Sequence, residues 1–245
     1  MFSPILAVVV FVVGILIGGV GIGGVLLVPS LKYFSSVPLH VAIPACMVGY
    51  IFTGLIGAIM YAKQGSIQWP LALKICIGAL PGAYIGSYVL PFIPAYWLEI
   101  AIGFLILASG LDAIYRSGRQ QYAELSSNNT ELISIGFITG IGSALTGTGG
   151  PLLLIPILLW RKAPILTAIG LSQAVQVPIS LTATISNMAH SDVNFSLGLS
   201  LALLLSVGAV LGAKFVHVLP LIFLKKSVAT ILIMVGLMIL FRGFL

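Results

Sequence analysis

Apolar residues run almost unbroken along this chain of 245 residues. The runs cover 4–17 then 25–34, 37–61, 67–90, 95–115, 132–144 then 151–160, 164–189, 193–217 and 222–244. Six of them are long enough to cross a bilayer, because about 20 helical residues cover the roughly 30 Å hydrocarbon layer. The first stretch of each half differs. In "GVGIGGVLLVP" (19–29) and "GTGGPLLLIP" (147–156) glycine breaks the run into pieces of about 10–14 residues, too short to cross singly. No run alternates with period two. The pattern predicts an all-α polytopic membrane protein, not a barrel.

The chain matches itself at a shift of 126 residues. Gly21, Gly23 and Gly24 fall on Gly147, Gly149 and Gly150. Pro38 falls on Pro164, Gly82 and Gly86 on Gly208 and Gly212, and Gly110 on Gly236. Chance likeness between apolar segments would share Leu and Val, not glycines and prolines in one register. A duplication is therefore read: a first membrane repeat over 1–115, a polar linker over 116–131 and a second repeat over 132–245.

Charge then decides how the halves face. If each glycine-broken stretch crossed the membrane, the basic residues would divide five against six. If each enters and returns on one side, the halves are inverted. Lys63, Lys74, Arg116, Arg119, Arg161, Lys162, Lys214, Lys225 and Lys226 then share one face, with only Lys32 and Arg242 opposite. Nine against two agrees with the positive-inside rule, and five against six does not. The expectation is two inverted repeats, each a re-entrant helical hairpin plus three transmembrane helices. The linker is then cytoplasmic and both termini lie outside.

Composition narrows the function. The chain is 60% hydrophobic and 7% charged, with net charge +6. The basic residues sit between apolar runs, so they serve topology and lipid headgroups, and no nucleic-acid partner is expected. Cys46 and Cys76 form no CxxC and read as packing residues. No P-loop occurs, and no carboxylate lies in mid-membrane. Neither a cofactor nor a metal is expected, and the chain does not read as an enzyme. The partners implied are the lipid bilayer and a small anionic substrate. Self-association into a homo-oligomer is left open.

The chemistry rests on the glycine loops. Irregular backbone cannot face lipid and must be buried or line a cavity. Each loop feeds a short helix, Val25–Phe34 and Pro151–Trp160, with Pro151 in the first turn and Thr148 placed to cap. Two helix N-termini converging near the midplane would offer free N–H groups and partial positive charge to an anion. The candidate substrate-binding residues are Gly21, Gly23, Gly24, Val25, Thr148, Gly149 and Gly150. Ser172, Gln173 and Gln176 of "GLSQAVQVP" join them, because an amide pair three residues apart shares a helix face and donates without titrating. The alternative for these polar residues is interhelical hydrogen bonding. For Gly82/Gly86 and Gly208/Gly212 close helix packing is the preferred reading.

"GIGGVLLVP", "TGTGGPLLLIP" and "GSIQWPLALKICIGALPGAYIGSYV" resemble the duplicated halves of the TauE/SafE sulfite exporter family. The resemblance covers nearly the whole chain. It implies a multi-pass protein of the cell inner membrane that exports sulfite or a small organosulfonate. Alternatives are an importer of a small anion and a membrane enzyme or assembly factor. The last would need a reactive cluster, and the sequence offers none.

Overall fold

The computed structural model describes residues 4–21, 23–115, 128–215, 229–230 and 233–241. Among these it contains helices and no strand. The order is α1 (Pro4–Val20), α2 (Leu27–Ser35), α3 (Leu39–Lys63), α4 (Trp69–Val89), α5 (Ala95–Tyr115), α6 (Asn129–Thr146), α7 (Pro151–Trp160), α8 (Ile165–His190) and α9 (Phe195–Phe215), with a further helical segment at 233–241. Five described helices are long and apolar enough to cross a membrane: Leu39–Lys63, Trp69–Phe92, Ala95–Asp112, Ile165–His190 and Phe195–Lys214. The sixth expected crossing, 222–244, and the linker fall largely outside the described residues.

Local geometry repeats with the sequence. Gly21 and Gly147 end α1 and α6 with φ of +78° and +68°. A left-handed residue there lets its N–H bond back to the last helical turn: Gly21 N–H donates to Ile17 and Gly147 N–H to Ser143. Ser36 and Lys162, 126 residues apart, leave α2 and α7 with φ of +53° and +61°. Pro38 and Pro164 open α3 and α8 with φ/ψ of −58°/146° and −57°/140°.

The halves interlock. α1 lies along α9, and α6 lies along α4. A Cβ added at Gly14 would meet Leu205, and one at Gly18 would meet Ala209. The numbers rise together, so α1 and α9 run parallel. Gly136 against Ile75 and Gly140 against Ala79 give α6 and α4 the same sense. α3 and α8 run antiparallel, with Gly54 against Gln176 and Gly57 against Gln173. α5 and segment 233–241 are antiparallel too, with Gly103 against Ile239 and Gly110 against Ile233.

The broken stretches turn back. Arg161, at the end of α7, donates to Glu131 in the first turn of α6 at 2.6 Å. The open ends of this hairpin therefore meet. In the first half the chain after α1 folds onto it, since a Cβ on Gly23 would touch Val13, Leu16 and Ile17.

Several expectations need correction. α1 and α6 have 17 and 18 residues, not 10–14. Gly18 and Gly19 do not break α1, because they sit in the helix and let its backbone approach Ala209 and Gly212. The second short helix covers Pro151–Trp160 as expected, but the first begins with a 3-10 turn, Gly23–Leu26, before α2. Asn128, the first residue of an N-x-T glycosylation pattern, caps α6 by accepting from the Thr130 N–H at 3.2 Å. Gly82, Gly86, Gly208 and Gly212, by contrast, are packing residues as expected: their added Cβ atoms would lie 2.3, 2.7, 2.4 and 2.0 Å from carbonyl oxygens of the helix alongside.

Candidate functional site

The two glycine loops meet around one tyrosine. Tyr50 of α3 is buried, and its hydroxyl donates to the Gly24 carbonyl at 2.6 Å. A Cβ on Gly24 would lie 3.0 Å from the Thr148 carbonyl oxygen, and one on Gly149 2.8 Å from the Tyr50 ring. Gly150 stands over Gln176 and Ile179 of α8. Only residues without a side chain allow this approach of two loops to one ring. The loops meet where α3 and α8 cross, so the starts of α2 and α7 face one buried region.

The other candidate residues spread around this centre. All of them are buried. Gly21 packs on Pro151, Ile155 and Ile169, beyond the point where the loops touch. Val25 lies in the 3-10 turn. Ser172 donates to the Ile169 carbonyl inside its own helix at 2.8 Å. Gln173 reaches α1 and donates to Ile17 at 2.8 Å. Gln176 donates to the Tyr50 carbonyl at 3.1 Å and to Thr53 Oγ1 at 2.9 Å. Their amide donors are thus engaged with protein oxygens, as the interhelical alternative expects. Thr148 does not cap α7: Gly150 occupies the N-cap, and Thr148 Oγ1 pairs instead with Thr146 Oγ1 at 3.1 Å. The left-handed backbone at Gly149 and Gly150, φ +76° and +121°, carries the chain past the point where a Thr148 hydroxyl could reach the helix.

The charged side chains and histidines with described partners lie away from this centre. Lys32 and Glu99 form an ion pair between α2 and α5. Asp112 accepts from the Trp160 indole N–H at 2.9 Å. His40 Nε2 lies 3.0 Å from the Ile93 carbonyl. His190 packs edge-on against Tyr84 and Tyr88. Among the described residues no group of three His, Cys, Asp or Glu could hold a metal.

Tyr50, the first-repeat counterpart of Gln176, is the residue whose weight the sequence did not show. It was legible only as the repeat partner of Gln176, because what gives it importance is its position between loops from opposite halves.

A helical bundle of this length and apolarity, with re-turning hairpins, defines a multi-pass membrane protein. The model of the sulfite exporter TauE/SafE family matches residues 6–239, and the chain belongs to that family. It is 27% identical over 240 residues to the "Probable membrane transporter protein YdhB" of Bacillus subtilis, covering 95% of this chain and 98% of the relative. It is 26% identical over 267 residues to YunE of the same organism, another "Probable membrane transporter protein", covering 96% and 98%. A probable membrane transporter protein of Methanocaldococcus jannaschii shares 30% over 190 residues, covering 74% of this chain and 70% of the relative. No solved structure matches the chain.

Proposed function

We propose that this chain is a secondary transporter, not an enzyme, which exports a small sulfur-containing anion, sulfite or an organosulfonate, by alternating access between two inverted repeats. The observation that carries the reading is the meeting of the glycine loops on Tyr50, with the starts of α2 and α7 turned toward one buried region. Unpaired N–H groups at such starts bind an anion without a basic side chain. Broken transporter helices use the same device. The substrate-binding residues of this reading are Gly21, Gly23, Gly24, Val25, Thr148, Gly149, Gly150, Ser172, Gln173 and Gln176. The family and the names of the relatives favour transport of this kind.

Inversion of the repeats is part of the proposal. Two helices related by a two-fold axis run antiparallel only when the axis lies across them. α3 and α8, and α5 and segment 233–241, are equivalent by the repeat and antiparallel, which supports an axis in the membrane plane. The repeats are 1–115 and 132–245, and 116–131 joins them on the cytoplasmic side.

Labelled sulfite flux in proteoliposomes tests the function. The expected result is flux in the wild type and none in Gly149→Leu, whose side chain would strike the Tyr50 ring. Absence of flux for sulfite, thiosulfate and sulfonates in both directions would reject it.

A further inference from the structure

The two repeats match in backbone but not in what fills them. One face of α8 carries Gln173, Gln176, Ser180, Thr184 and Asn187, spaced 3, 4, 4 and 3 residues apart. That spacing keeps a single stripe along a helix. α6 carries Thr139 and Ser143, four apart, on a buried face beside its glycine contact with α4. The stripes share one level of the bundle. Ser186 Oγ donates to the Tyr84 carbonyl at 3.3 Å, which aligns the end of α8 with α4, while Gly82 and Gly86 of α4 meet Phe137 and Ile141 of α6.

These side chains are buried and unanswered. Ser180 Oγ, Thr184 Oγ1, Thr139 Oγ1, Ser143 Oγ and both amide ends of Asn187 have no hydrogen-bond partner. Asn187 is 0% exposed. Buried polar groups in folded proteins are nearly always paired, and an unpaired set this dense marks bound water or ligand. In the first repeat the equivalent positions are Val13 and Ile17 on α1 and Gly54, Ala58 and Tyr61 on α3. There the first repeat's own side chains are apolar except Tyr61, whose hydroxyl is satisfied by the Gly18 and Gly19 carbonyls at 3.1 Å, and the one polar group α8 sends in, the Gln173 amide beside Gly57, is tied to the Ile17 carbonyl with only its Oε1 unpaired.

We infer that the second repeat holds a hydrated passage, lined by Thr139, Ser143, Ser180, Thr184 and Asn187, which joins the meeting point of the glycine loops to the end of the molecule where α8 finishes, and that its hydroxyl and amide groups replace the water shell of a small oxyanion on its way through. The first repeat holds a dry plug in the equivalent place. Ser180 lies one turn beyond Gln176, where Gly150 rests, so the stripe begins at the loops. No charged side chain sits on either stripe, so the passage suits an anion held by neutral donors. The oxyanion part of this inference rests on the transporter reading; the hydration does not.

Cysteine reactivity tests it in the full chain carrying Cys46→Ala and Cys76→Ala. Ser143→Cys and Thr184→Cys probe the passage, and Val13→Cys and Ala58→Cys probe the plug. The probes are the 2-sulfonatoethyl and 2-(trimethylammonium)ethyl methanethiosulfonates, each rate divided by that with a free thiol in water. The sulfonate should modify both passage cysteines at least tenfold faster than both plug cysteines, and faster than the cation does. Equal reactivity of passage and plug, or none at either, would overturn the hydrated passage. Preference for the cation would overturn its role for an oxyanion. Ser180→Cys stands in for either passage variant that fails to purify. Rates are read without transport, so loss of sulfite flux alone would reject the transporter reading and leave the passage standing.

Discussion

Gln176 donates a hydrogen bond to the backbone carbonyl of Tyr50 at 3.1 Å, and the two residues are each other's counterparts under the 126-residue repeat. Equivalent residues can touch only where a two-fold axis passes between them. Under the proposed inversion, the contact would place the centre of α3 and α8 on the axis that relates the repeats. The glycine loops arrive at the same place. Symmetry is broken at that point by chemistry: a phenol on one side occupies the loops, and an amide on the other ties the helices.

Gln176→Leu should lower stability by about 1–3 kcal/mol. The change removes two interhelical hydrogen bonds, to Tyr50 and to Thr53. Bonds of this kind average about 0.6 kcal/mol and reach about 1.7 kcal/mol in membrane proteins. Thr53→Val, which removes one of them, should cost about half as much. Thermal unfolding in detergent reads both, and an unchanged midpoint in Gln176→Leu would remove the amide from any structural role.

Tyr50→Phe should speed transport. In the proposed transport cycle the Gly24 loop has to release the Tyr50 hydroxyl bond to its carbonyl, at 2.6 Å, for an anion to enter. A bond of about 1 kcal/mol lost from the ground state alone corresponds to roughly a fivefold change in rate. Sulfite flux per protein in proteoliposomes should rise severalfold, with stability lowered by about 1 kcal/mol. Slower flux in a folded variant would mean that the hydroxyl helps the anion instead of holding the loop.

Gly82→Ala and Gly208→Ala should each cost more than about 3 kcal/mol, near the exceptional end for one substitution. The two are repeat counterparts, and their added Cβ atoms would lie 2.3 Å from the Phe137 carbonyl oxygen and 2.4 Å from that of Phe11. Both obstacles are backbone, so no side chain can swing aside. Gly65→Ala is the comparison. It meets nothing within 4 Å and strains only its own φ of +69°, for a cost of about 1 kcal/mol. Yields of monodisperse protein and unfolding midpoints should separate the pair from the comparison.

The backbone plan was legible because it is local. A glycine that breaks an apolar run, a short helix and a proline opening a long one lie within about 20 residues in each half, and each signal appears twice. Gly18 and Gly19 misled because their helix is held by Ala209 and Gly212, nearly 200 residues away. Tyr50 and the unpartnered Asn187 carry no local signal for the same reason. Neither is unusual in its own segment, and each matters through what the other elements bring to it. Comparison with the counterpart 126 positions away sets Tyr50 against Gln176, and carried along the whole of α8 it also sets Asn187 against Tyr61.

The proposed inversion predicts which loops share a face. A Cβ on Gly170 would lie 3.3 Å from the Ser66 carbonyl oxygen, so the start of α8 lies beside the end of α3. Gln64 and Lys162, in the loops there, should then be on one side, which the positive-inside rule predicts to be the cytoplasm from Lys63, Lys74, Arg161 and Lys214. At the other end, the His190 and Tyr88 rings lie 4.8 Å apart, and His40 reaches the Ile93 carbonyl. Ser36 and Asp192 should share that outer side. Single cysteines at Gln64 and Lys162 should resist an impermeant maleimide on intact cells and react after permeabilisation, while those at Ser36 and Asp192 should react at once. Reaction of Gln64→Cys and Lys162→Cys from opposite faces would exclude a hairpin that turns back in each half.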